Sequence, residues 1–153
     1  MKYGFTVCIM IGILFLMGSC EEDQICDENA RTYLNAGFYK AEEGALQDSV
    51  LNNLKIRAIG MDSLIYDSSG ISKIKLPLDY GNSQTSFLMI NDSVSDTLRF
   101  TYDKKMIFIS YQCGFAPTYN LLSTTNSYHG IDSAIIINSK IETLDEENLR
   151  IYL

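Results

Sequence analysis

Tryptophan is absent from the 153 residues and histidine occurs once. The missing tryptophan removes the side chain that saccharide platforms use most. A single histidine leaves only His129 as the pivot of any Ser-His-Asp relay. Clustered positive charge is missing too. Lys104-Lys105 is the one adjacent basic pair, and twelve Lys+Arg stand against nineteen Asp+Glu. Nucleic acid is excluded as a partner on that ground, because phosphate binding needs grouped cations. No internal repeat is visible, and the spacing of an EF-hand loop is absent. Nor is there an apolar run of the roughly 20 residues that a spanning helix needs.

Phe5 to Met17 is an uncharged apolar stretch of thirteen residues behind the single charge of Lys2. It stops abruptly at Gly18-Ser19-Cys20-Glu21-Glu22-Asp23. A basic start, a short apolar segment and small residues at a cleavage point make residues 1–19 a secretory signal peptide. Gly18 and Ser19 before Cys20 resemble the lipobox of bacterial lipoproteins, which makes Cys20 the lipidation site. Each buried methylene contributes about 0.8 kcal/mol, and one acyl chain holds only marginally. Two or three chains on one residue make a stable membrane anchor.

Cleavage of 19 residues from 153 leaves a mature chain of 134, with eleven basic and nineteen acidic residues and a net charge of −8. That length fits one domain with enough chain to bury a core. Of four cysteines, Cys8 leaves with the signal and Cys20 is lipidated. Export leads to an oxidising compartment, so Cys26 and Cys113 are expected to form a disulfide. It would enclose 86 residues and stabilise by roughly 4 kcal/mol in the chain-entropy picture. Two cysteines with no neighbouring histidine make a poor metal site, and no metal or other cofactor is implied.

Residues 20–30 read as an acidic tether, and residues 31–153 as a single β-domain. Period-two alternation is the main cue. It runs through Thr32-Leu34-Ala36-Phe38, Leu54-Ile56-Ala58, Leu64-Ile65-Tyr66 and Ile74-Leu76-Leu78, where Pro77 suggests an edge or strand end. Phe87 to Ile90 is apolar on both faces. Leu98-Phe100-Tyr102 alternates with Arg99 and Thr101, and Asp103-Lys104-Lys105 reads as a turn. Ile107-Ile109-Tyr111-Cys113 resumes the period and points Cys113 inward. Tyr119 to Leu122 follows. Ile135-Ile136-Ile137 reads as a central strand, and Leu149-Ile151-Leu153 as a paired C-terminal one. Ala41 to Asn53 is ambiguous between a turn of helix and a loop. About eight or nine short strands with Gly, Asn, Asp and Ser between them predict an antiparallel β-sandwich or partly closed barrel.

Candidate chemistry is sparse. His129 has Ser127 and Asp132 near it in sequence but sits in a turn, without a nucleophile elbow. Asp62, Asp67, Asp79, Asn82, Asn91, Asp92 and Asp96 lie near turns and could supply oxygens to calcium, yet Asx turns explain them equally. No glutamate falls inside an apolar strand, where burial would raise its pKa. Glu42-Glu43 and Asp145-Glu146-Glu147 read as solvated loops. Tyrosine is plentiful, at ten residues. Most of these fit a sheet edge, while Tyr80 and Tyr128 fall in loops and are the candidate binding rings.

Several segments together resemble a known family. They are Met61-Asp62-Ser63-Leu64-Ile65-Tyr66-Asp67 leading to Ile74-Lys75-Leu76-Pro77-Leu78, then Asp96-Thr97-Leu98-Arg99-Phe100-Thr101-Tyr102. Ile109-Ser110-Tyr111-Gln112-Cys113-Gly114-Phe115, Ile131-Asp132-Ser133 and Glu147-Asn148-Leu149-Arg150-Ile151-Tyr152-Leu153 complete the set. The pattern resembles a family of uncharacterised Bacteroidota lipoproteins, domain of unknown function family 6452, over nearly the whole mature chain. The resemblance implies an outer-membrane lipoprotein and attaches no activity and no catalytic residues. Within lipoproteins of that phylum, the acidic run after Cys20 resembles a signal for surface display; the periplasmic face is the alternative. The expected role is noncatalytic, binding or assembling other envelope proteins. A small-molecule or glycan-binding module is the rival from another class, and would need a concave apolar pocket.

Overall fold

The computed structural model describes residues 32–42, 45–111, 113–142 and 146–153. The signal peptide, the tether, Cys20 and Cys26 lie outside the described residues. Among those described, every regular element is a strand, and no helix is long and apolar enough to cross a membrane.

Strict alternation builds the first sheet. In β1 (Tyr33–Glu42), Leu34, Ala36 and Phe38 are buried on one face. Its first half pairs antiparallel with β5 (Lys73–Pro77), and its second half with β2 (Ala45–Asp48). The opposite edge of β1 pairs in parallel with the C-terminal strand β11 (Leu149–Tyr152), which in turn pairs with β9 (Ser133–Ile136). The second sheet runs in the order β10 (Lys140–Ile141), β8 (Gly114–Asn126), β7 (Val94–Ser110), β6 (Gln84–Asn91), β3 (Leu54–Ala58), β4 (Leu64–Ser68). One of the two sheets curls like half a barrel. The molecule is thus the all-β sandwich that the alternation predicts.

The core lies between the sheets. Leu34, Phe38, Ile74, Leu76 and Ile151 come from one side; Leu54, Ile56, Phe87, Leu98, Phe100 and Tyr102 come from the other. Each such side chain contributes about 1.5–3 kcal/mol by leaving water. Phe87 and Phe100 rings lie 6.1 Å apart, and Tyr102 meets Tyr119 edge-on at 5.2 Å. The buried phenols are satisfied by the segment that crosses between sheets. Tyr102 donates to the Asp79 carbonyl at 2.8 Å, and Tyr119 donates to the Leu78 carbonyl at 3.1 Å. Buried Asn148 does the same for β11. Its Oδ1 accepts from the Asn35 amide at 3.0 Å, and its Nδ2 donates to the Lys140 carbonyl at 2.8 Å. A polar side chain inside a sandwich is tolerable because its groups are paired.

Four local expectations are corrected. The chain does not turn at Asp103-Lys104-Lys105; β7 runs 17 residues to Ser110, and those three residues pair with Asn120, Tyr119 and Thr118 of β8. Charge there reports water on an exposed stem rather than a turn. The turn falls instead at Tyr111–Cys113, so Tyr111 is 96% exposed rather than in line with the core. Ile135-Ile136 ends the edge strand β9 and Ile137 follows it, with Ile135 and Ile137 about half exposed. Ala41 to Asn53 holds the end of β1 and the whole of β2, not helix. Eleven strands replace eight or nine because β2 and the two-residue β10 leave no alternation to count. Pro77 does end β5, whose only strand partner among the described residues is β1.

Ile151 is fully buried where the only parallel strand pair among the described residues, β1 with β11, joins the C-terminus to the N-terminal strand. Ile151→Ala is expected to cost about 2–4 kcal/mol, read as a lower urea midpoint with an unchanged slope.

Candidate functional site

Three places gather side chains that could act. The first is the outward face of the first sheet. Because Phe38 points inward, its neighbours Gly37 and Tyr39 point out, opposite Arg150 and Tyr152 of β11. Tyr39 donates to Glu147 Oε2 at 2.5 Å, and Arg150 Nε donates to Oε1 of the same carboxylate at 2.7 Å. The Arg150 guanidinium also sits 5.2 Å from the centre of the Tyr39 ring, and Tyr152 lies 6.2 Å from that ring. Gly37 permits this. A Cβ at position 37 would come within 2.9 Å of Glu147 Oε2 and 2.8 Å of the Tyr39 ring. The hydrogen bond to Glu147, helped by burial, pushes the Tyr39 phenol up to about 12. Burial alone would raise Glu147, but the bonds from Tyr39 and Arg150 outweigh it and hold the carboxyl below its ordinary value. Beside this fixed group, Ile135 pairs with Arg150 across β9 and faces outward. The product is a rigid Tyr-Arg-Glu platform with an apolar flank.

The second place is Asp96, 3% exposed at the start of β7. Its Oδ1 accepts from the His129 amide at 2.9 Å and from Ser127 Oγ at 2.8 Å. Its Oδ2 accepts from the amides of Gly130 at 2.7 Å and Ile131 at 3.0 Å. Burial pushes this carboxyl up, and the four hydrogen bonds more than reverse that, leaving it below the usual aspartate range. Tyr128, at φ 59°, makes the bend that turns the amides inward.

Asp96, Ser127 and His129 thus meet, although sequence pairs His129 with Asp132 instead. The arrangement is not a relay. Ser127 gives its proton to Asp96 and accepts from the Thr97 amide at 2.9 Å. His129 Nδ1 lies 3.1 Å from Ser127 Oγ and 3.7 Å from Asp96, so both neighbours share one ring nitrogen. A relay needs the serine on one nitrogen and the carboxylate on the other. What the geometry does is clamp the β8–β9 loop.

The third place is the end of the β7–β8 hairpin. Phe108 and Phe115 are cross-strand partners with rings 5.4 Å apart, and Tyr111 meets Phe108 at 5.3 Å. Such pairs contribute about 0.5–1.5 kcal/mol beyond their buried area. Cys113 is in the same turn, where its amide donates to Ser110 Oγ at 3.0 Å.

The two candidate binding tyrosines are kept apart. Tyr80 sits in the β5–β6 loop, 5.4 Å from Lys104 Nζ, which also donates to the Tyr80 carbonyl at 2.6 Å. Tyr128 belongs to the loop clamped by Asp96, eight positions away along β7, or about 26 Å at strand rise. Asp79 forms an Asx turn, accepting from the Gly81 amide at 2.7 Å and Asn82 Nδ2 at 2.6 Å. Among the described residues no three of His, Cys, Asp and Glu gather at metal-binding distance. A cleft of about 290 Å³ runs along the hairpin stem, lined in part by Asp103, Lys104, Lys105, Lys140 and Glu142.

Sequence reasoning missed Tyr39, Glu147 and Arg150 because their meeting depends on the parallel pairing of two strands over a hundred residues apart. It missed the aromatic tip for a nearer reason. Centring the hairpin on Tyr111-Gln112 rather than Lys104 would have set Phe108 opposite Phe115.

A family model described as "Family of unknown function (DUF6452)" matches residues 53–153. The match begins just before β3, so it leaves out β1 and β2 and is shorter than the resemblance implied. No curated protein and no solved structure matches the chain.

Asp96→Asn replaces an acceptor of four hydrogen bonds and is expected to destabilise by about 2–4 kcal/mol. The sign with pH follows from the lowered carboxyls. Their stabilisation is present above the unfolded pKa near 4 and is lost as pH falls through the folded value. Urea midpoints should therefore fall below about pH 4, and fall less steeply in Asp96→Asn than in the parent chain.

Proposed function

Since the chain belongs to the DUF6452 family, whose description assigns no function, we propose that it is the precursor of a noncatalytic Bacteroidota outer-membrane lipoprotein. Acyl chains on Cys20 hold it, a Cys26–Cys113 disulfide ties its N-terminal tether to the domain, and the domain binds another envelope protein. The anchor is supported by the Gly18-Ser19-Cys20 junction after a thirteen-residue apolar run. The disulfide is supported by export to an oxidising compartment, where Cys26 and Cys113 are the two cysteines left to pair.

The observation that carries the binding role is the outward face of the first sheet. Arg150 and Tyr152, half-buried above the buried Tyr39 ring, are of the types that dominate interface energies. Here they are locked by Glu147 before any partner arrives, so little side-chain freedom is left to lose on binding. Ile135 and Ile137 flank them at 48% and 49% exposure. The reading is noncatalytic because the one histidine has its serine and carboxylate on the same nitrogen.

Mass spectrometry of the protein purified from its native membranes should give a chain that begins at an acylated Cys20, with a Cys26–Cys113 peptide that separates on reduction. An unmodified Cys20 still joined to residues 1–19 would contradict the anchor. Crosslinking on intact membranes should join the domain to one discrete envelope protein, and the Ile135→Lys/Ile137→Lys double variant should lose that product at least tenfold, a change of about 1.4 kcal/mol. An equal yield from parent and variant would contradict the binding face.

A further inference from the structure

The β7–β8 hairpin carries a patch of rings that is exposed among the described residues. Tyr111 is 96% exposed, Phe115 64%, Phe108 51% and Met106 47%. Met106 and Pro117 are partners two positions behind Phe108 and Phe115, so all four share one face of the hairpin. Contiguous exposed apolar surface of this kind marks an interaction site.

Chain length identifies what it meets, on the premise that Cys20 is acylated and Cys26 is bonded to Cys113. Six peptide units separate Cys20 from Cys26, and six residues fully extended reach at most about 20 Å. Cys113 lies in the turn beside Tyr111. With about 6 Å more between the α-carbons of the bridge, the aromatic end of the hairpin is kept within about 26 Å of the acylated residue. Tyrosine rings favour the interfacial layer of a bilayer, where an apolar body and a polar tip are both accommodated.

We propose that Phe108, Tyr111 and Phe115 insert into the interfacial layer of the membrane beside the lipid anchor, making the hairpin a foot that fixes how the domain stands on the bilayer. A domain held by its lipid anchor alone would tumble. With a second contact, its outward faces hold a defined angle to the membrane. The proposal rests on the lipoprotein reading and adds an orientation to it.

The lack of tryptophan makes the test direct. The full chain, expressed with its leader and purified from membranes, is reconstituted into phosphatidylethanolamine and phosphatidylglycerol vesicles containing brominated phosphatidylcholine. Tyr111→Trp places a single fluorophore at the tip, at a position too exposed for the change to disturb packing. Tyr128→Trp places one in the opposite loop, where the native ring is 71% exposed. The expected result is a blue-shifted, bromine-quenched signal from Tyr111→Trp and an unquenched, water-like signal from Tyr128→Trp. Three outcomes overturn the proposal. If vesicles float without the protein, the anchor fails and the foot fails with it. If the protein floats but Tyr111→Trp stays water-like, the anchor stands and the foot does not. If Tyr111→Trp is blue-shifted yet unquenched, another protein or a second copy covers the tip.

Discussion

The ladder between β7 and β8 is the constraint from which the remaining features follow. It runs from Leu98 opposite Asn126 to Ser110 opposite Gly114, interrupted only by register shifts at Thr101/Tyr102 and Phe108/Ser110. Its inner half supplies Leu98, Phe100, Tyr102, Tyr119 and Leu121 to the core. Its outer half keeps Ala116 and Thr118 buried but presents Phe108, Tyr111 and Phe115 to solvent. One pair of strands thus sets both the packed centre and the exposed tip. An antiparallel ladder can do this because backbone pairing continues whether or not the faces are buried.

Specificity inside the sandwich comes from a few buried polar contacts laid over a uniform apolar core. Interdigitating Leu, Ile and Phe fill space but could tolerate more than one register. A shift of one residue would turn every inward side chain outward. The Tyr102 and Tyr119 phenols, each reaching one carbonyl of the crossing segment, fit only one register. Asn148 fixes the entry of β11 against Asn35 and Lys140, and Asp96 fixes the return of the chain from β8 toward β9. These contacts join residues far apart in sequence, so their loss costs more than one local bond.

Period-two alternation made the inward faces of β1, β3, β5 and the first half of β7 readable. In those strands one face is in water and the other in the core, and side-chain chemistry reports that difference. The same signal misled where burial and pairing part company. Asp103, Lys104 and Lys105 are charged because the stem is wet, and Ile135 and Ile137 are apolar although they lie at an edge. Ala45 to Asp48 gave no alternation because all four residues of β2 are exposed. The sites were less legible than the fold. Asp96 could be named among turn-proximal acids, but its role depends on three amides some thirty residues away. Glu147 reads as a solvated loop acid until Gly37 of a distant strand leaves room for it.

A continuous hairpin ties together the core and the exposed tip. It is tested most directly by hydrogen exchange of the backbone amides in Lys104–Phe108 and Phe115–Asn120, measured in the folded protein. A continuous ladder predicts that the interstrand amides of this stem exchange far more slowly than an open chain, with protection declining toward Tyr111 but not breaking at Lys104-Lys105. Exchange at open-chain rates throughout the stem, beside protected amides in Leu98–Tyr102, would contradict it.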